Sequence, residues 1–139
     1  MTEKDVMVGD WFRFRYTTIS NREVVHTFRI SQIENQLGQY YVWGDGFGRM
    51  CHPENLEPIP LTPKILGKNG FTRPNDRVRY FTESTDYYDV DIHEITDSIW
   101  CFEYQNCEAH FPPCLILIAH VHELQHALRL CGISKDITL

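Results

Sequence analysis

One short run has residue types and spacing that could do chemistry. His122-Glu123-Leu124-Gln125-His126 reads HExxH. On a helix, histidines four apart present two ring nitrogens on one face, at a spacing that suits one zinc ion. The glutamate after the first histidine can act as general base on a metal-bound water. This reading makes His122 and His126 metal ligands, Glu123 the base and zinc the cofactor.

The surroundings of the motif turn the balance against it. A catalytic zinc needs a third protein ligand. Only 13 residues follow His126, and Asp136 is the one carboxylate among them. Upstream, His93, Glu108, His110 and Cys114 could donate, but no spacing selects one. Arg129 and Gly132 stand where the longer HExxHxxGxxH form needs glycine and histidine. A zinc-dependent hydrolase is therefore the alternative. The leading expectation is a protein with no catalytic residue and no cofactor.

The elements that would position the motif can be read from periodicity. Leu115 to Leu130 is expected as the one long helix, stopped by Gly132. Its apolar stripe is Leu117, Val121, Leu124, Leu128 and Cys131, with His122 and His126 pointing away from it. His120 falls on the apolar side and is expected as a buried histidine bonded to backbone. Before this helix come strands at Arg77–Thr82, Tyr87–Glu94 and Ser98–Tyr104, and Lys135–Leu139 is expected as a short final strand.

The N-terminal half reads as short strands at Trp11–Tyr16, Val24–Ile33, Tyr40–Trp43 and Arg49–His52. Gly44, Gly46 and Gly48 suggest a hairpin, because no helix pattern and no Lys-Ser/Thr pair follow to make a phosphate loop. Thr62 caps a short helix with Pro63 at its first position, and Gly70 ends it. The fold class expected is α+β. Residues 1–60 form an SH3-like small β-barrel. A connecting helix leads to a small antiparallel sheet packed by one C-terminal helix over 61–139, with a core that the two halves could share.

Charge is uneven along the chain. The net charge of -6 opposes simple electrostatic binding to nucleic acid or anionic membrane. Between Asp76 and Glu108 there are nine acids and two bases; the rest of the chain is nearly balanced. Asp86, Asp89, Asp91, Glu94 and Asp97 are the candidate binding surface, for a basic protein partner. A second alternative is nucleic-acid binding by a small barrel, from the interleaved aromatic and basic residues Trp11-Phe12-Arg13-Phe14-Arg15-Tyr16.

The five cysteines, Cys51, Cys101, Cys107, Cys114 and Cys131, are odd in number and lack a CxxC pair. They are expected as buried small hydrophobes in a reducing compartment. The N-terminus shows no basic-then-apolar leader, and the apolar run from Phe111 to Ala119 holds two prolines and is too short to cross a bilayer. A cytoplasmic protein without membrane contact is expected.

Two segments also carry a likeness. Leu56-Glu57-Pro58-Ile59-Pro60-Leu61-Thr62, with Ile65-Leu66 and Asn69-Gly70-Phe71, resembles an "EPIPLT…IL…NGF" segment. That segment marks a group of small uncharacterised proteins of gut anaerobic bacteria and their prophages and phages. Val121-His122-Glu123-Leu124-Gln125 resembles the "VHxLQ" helix that ends many of them, often with Gln at the position of Glu123 and Asn at that of His126. The resemblance implies no activity and no site residue. It implies that the HExxH match is coincidental and that the chain belongs to a phage or mobile-element setting, where small acidic proteins bind host proteins.

Overall fold

The computed structural model describes residues 5–108 and 113–139. The chain is an α+β protein that divides into two compact units, Met1–Ile59 and Pro60–Leu139.

The first unit is one antiparallel sheet. Its strands are β1 (Trp11–Thr17), β2 (Glu23–Gln36), β3 (Gln39–Gly44), β4 (Phe47–Cys51) and β5 (Leu56–Pro58), in the order β4-β3-β2-β1-β5. A 3-10 turn over Pro53–Asn55 precedes β5. The register of β2 against β3 shifts between Ile30 and Gln32, a bulge that lets so long a strand change direction. β4 and β5 are not paired with each other among the described residues, so the sheet is open. Its core gathers Val6, Phe12, Phe28, Ile30, Val42, Phe47, Cys51 and Leu56. Strand alternation places Phe12 on that side and Arg13 on the other, as the sequence period requires. The buried Asp10 holds the entry turn: its carboxylate accepts the Met7 N–H at 2.7 Å.

Two glycines of the β3–β4 hairpin are required for different reasons. Gly44 pairs with Phe47 across a two-residue Asp45–Gly46 turn. Gly46 takes a positive φ of 69°. Gly44 has no room for a side chain, because a Cβ there would fall on the Phe28 ring.

The second unit opens with α1 (Pro63–Lys68), capped by the Thr62 hydroxyl, which accepts the Ile65 N–H at 3.3 Å. A meander follows: β6 (Tyr80–Ser84), β7 (Tyr88–Thr96), β8 (Ile99–Asn106) and β9 (Cys114–Ile118), in the order β6-β7-β8-β9. The last element is α2 (Val121–Leu130), whose buried residues include Val121, Leu124, Ala127 and Leu128. Phe81, Val90, Ile92, Trp100, Phe102 and Ile118 are buried on one face of this sheet.

Three sequence expectations are corrected here. The long helix expected from Leu115 starts at Val121, and Cys114–Ile118 is a strand. A continuous apolar run of this length suits either state, and Pro113 with the extended His120 bounds it as a strand. The strand expected from Arg77 starts at Tyr80, because Asn75 accepts the Arg77 N–H and makes a turn. The tail forms no strand. It is tied down instead by buried Ile133 and Ile137 and by Asn69, whose side-chain oxygen accepts the Thr138 N–H at 2.8 Å. One strand lies outside those expected, β5, which pairs Phe12 with Pro58.

Candidate functional site

The HExxH run lies on α2, and its glutamate already has a structural task. The Glu123 carboxylate accepts the backbone N–H groups of Ala119 at 2.6 Å and His120 at 2.9 Å. This is the glutamate half of a capping box, with His120 as the cap residue. The His120 ring lies 3.3 Å from the same carboxylate oxygen. His120 is therefore a partly exposed cap residue rather than a buried core histidine.

Burial works against the Glu123 charge, but the Ala119 and His120 N–H groups and the nearby histidines outweigh it and hold the carboxyl below its ordinary value of 4.5. A depressed acid stabilises the fold fully above that ordinary value and stops doing so as pH falls through the folded value. Glu123→Gln is therefore expected to lower stability at neutral pH by about 1 kcal/mol and to flatten the loss of stability in acid. Thermal melts of both proteins from neutral pH down to pH ~3 check this.

The two motif histidines differ in exposure, His126 being only partly buried. His122 is only 6% exposed and Gln125 is 2% exposed, so α2 buries most of its circumference. The His122 and His126 rings meet edge to face with centroids 5.7 Å apart, and the His120 ring stacks on His122 at the same distance. Among the described residues, no three His, Cys, Asp or Glu side chains converge as metal ligands. His93 lies on β7 against Tyr80, away from the motif histidines, and Glu108 and Cys114 are exposed. His110 lies outside the described residues.

No family model matches the chain, and comparison with curated proteins and with solved structures finds no match either. The chemistry must be read from the side chains themselves.

The acidic segment resolves into distinct places. Directly paired residues of an antiparallel sheet share a face. One face of the meander carries Ser84, Asp89 and Gln105 in one row, and Thr82, Asp91, Glu103 and Leu115 in the next. Tyr80, His93, Cys101 and Leu117 make a third row. Asp91 and Glu103 stand directly opposite each other, an arrangement of like charges that costs stability. Tyr80 donates to Asp91 at 2.6 Å, and that hydrogen bond with burial pushes the phenol up to about 12. These residues line a shallow recess of about 250 Å³. No Lys or Arg among the described residues pairs with Asp89, Asp91 or Glu103.

The other candidates lie elsewhere. Glu94 points to the opposite face, is 7% exposed in its side chain and pairs with Arg79 at 2.7 Å. Asp86 lies in the β6–β7 turn, and Asp97 lies in the β7–β8 turn, where Arg79 reaches it at 3.4 Å. The face is completed by residues the sequence reading passed over. Glu103 comes from β8, and Leu115 and Leu117 (61% and 66% exposed) come from β9. The period of two in Tyr87–Glu94 could have sorted Asp89 and Asp91 from Glu94. Leu115 and Leu117 were hidden by their placement in the expected helix.

Alternation puts Phe12, Phe14 and Tyr16 of β1 on one face and Trp11, Arg13 and Arg15 on the other. Phe14 and Tyr16 meet His26 and Phe47, with Arg49 stacked 4.5 Å from the Tyr16 ring centre. Arg15 lies on the other side, hydrogen-bonded at 2.9 Å to both Glu57 and Glu23. The Arg29 Nε donates to the Gly9 carbonyl. No helix among the described residues is long and apolar enough to cross a membrane.

Proposed function

We propose that the protein is a non-enzymatic interaction module that docks a basic protein surface on the outer face of the β6–β9 meander. The observation that carries this is the Asp91–Glu103 pair, two carboxylates opposed in register with no Lys or Arg paired to them among the described residues, beside exposed Leu115 and Leu117. A face that tolerates this repulsion when free gains most when a cation arrives. The leucines supply apolar area that the charges alone lack. The resemblance to small phage-associated proteins agrees with a host protein as the partner, met in the cytoplasm.

We also read the first unit as SH3-like. The order β4-β3-β2-β1-β5, the long bulged β2 and the 3-10 turn before β5 support that architecture, although the described sheet is open. Zinc hydrolysis is less favoured because the Glu123 carboxylate is engaged by two backbone N–H groups. Nucleic-acid binding is less favoured because Arg15 is held by two glutamates.

The test uses a defined probe, a peptide of alternating lysine and leucine. The Asp91→Lys, Glu103→Lys double variant is expected to weaken binding at least about tenfold, and rising salt to weaken binding to the wild type. Leu117→Ser, which removes apolar area without adding charge, should weaken it without changing the salt dependence. Binding indifferent to the charge reversal and to salt would sink the proposal.

A further inference from the structure

The sequence suggested five buried thiols, but three are not. Cys107 and Cys114 are exposed and Cys131 is partly exposed. Two of these three meet. Cys114 opens β9 and is paired with Tyr104, so by alternation it shares a face with Ile116 and the buried Ile118. Cys131 caps the C-terminal end of α2, on the helix face that also carries Leu124 and Leu128. Only Ala119 and His120 separate β9 from α2, and the two elements are in contact. Five strand residues and ten helix residues each span about 15 Å. A helix folded back along its strand thus returns Cys131 to the level of Cys114. The chain just past Cys131 lies at that same level, since Lys135 pairs with Glu83, whose register row runs through Val90 and Tyr104 to Cys114.

We infer that Cys114 and Cys131 form a dithiol site that is oxidised to an intramolecular disulfide by low-molecular-weight disulfides. The order of events follows from exposure. Burial, together with the Cys114 thiol, pushes Cys131 up to about 11, so it is the poorer first nucleophile. Cys114, as thiolate, attacks the small disulfide; one S–S bond breaks, a mixed disulfide forms and one small thiol leaves. Cys131, as thiolate, then attacks the Cys114 sulfur and expels the second small thiol. Two protein thiols and one small disulfide become one protein disulfide and two small thiols. Both protons end on the small thiols, and the small disulfide is the oxidant that is reduced. The bond pins the end of α2 to the start of β9, beside Leu115. The site stands independently of the docking reading.

The experiment treats the full chain with oxidised glutathione and follows intact mass and non-reducing peptide maps. The wild type is expected to yield a Cys114–Cys131 linked peptide that dithiothreitol releases, and its intact mass, apart from any glutathione carried on exposed Cys107, to fall by two hydrogens. Cys131→Ser should stop at a lasting glutathione adduct on Cys114. Cys107→Ser removes the exposed competitor and should leave the result unchanged. A wild type that keeps glutathione on Cys114, or that links Cys107 to Cys114, overturns the inference. So does a Cys131→Ser protein that still loses two hydrogens.

Discussion

Alanine at Gly44 is expected to destabilise the protein by about 3 kcal/mol, the upper end of core overpacking. Its backbone φ is not positive, so conformational freedom is not the issue. The new methyl would lie on the Phe28 ring, which is 2% exposed and stacked on Phe47 with centroids 4.9 Å apart. Neither ring can retreat without displacing Phe14 or His26, which both touch Phe47. Two neighbours in the same hairpin calibrate the result. Gly46→Ala meets no atom but must hold a positive φ, which costs about 1 kcal/mol. Gly48→Ala meets no atom and needs no unusual φ, so it should be nearly silent. Urea unfolding of the three variants should rank them in that order. A Gly44→Ala protein as stable as Gly48→Ala would refute the packing.

Glu83→Ala is expected to cost about 2–3 kcal/mol, because it strands a partly buried cation. The Glu83 carboxylate pairs with the Lys135 ammonium and accepts the Tyr88 hydroxyl at 2.7 Å. Lys135 also donates to the Asn69 carbonyl at 2.8 Å and stands 5.1 Å from the centre of the Phe71 ring. The tail is thereby fixed to α1 and β6. The exchange protection of the Thr138 amide, held by Asn69, should fall with the stability. Adding Lys135→Met to Glu83→Ala should restore part of the loss, since no charge then remains without its partner. A double variant no better than the single one would show that packing, not charge, dominates there.

Local signals were the readable part of this chain. Thr62 with Pro63 marked α1, because a cap is made by residues a few positions apart. The alternation in Trp11–Tyr16 marked β1 for the same reason. The expected helix over Leu115–Leu130 failed where its first residues are apolar on every side, since no period distinguishes a strand there. Glu123 was misread for a different cause. HExxH and a capping box place a glutamate alike, and only the Ala119 and His120 amides tell which task it has. The docking face depends on which strands lie side by side. Glu103 joins Asp91 only through the β7–β8 register, which neither segment encodes alone.

The order of strands also bears on how the two sheets form in time. In the meander every strand pairs with its neighbour in sequence, so each hairpin can close soon after its residues are available. The first sheet cannot finish that way. β5 must find β1, with Pro58 placed beside Phe12 after the rest of the strands have intervened. That long closure is entropically costly until the β1–β4 hairpins exist to receive it. Refolding should therefore protect the β7 and β8 amides early and the β1–β5 amides last. During that delay the free edge of β1 is open to pairing with another chain.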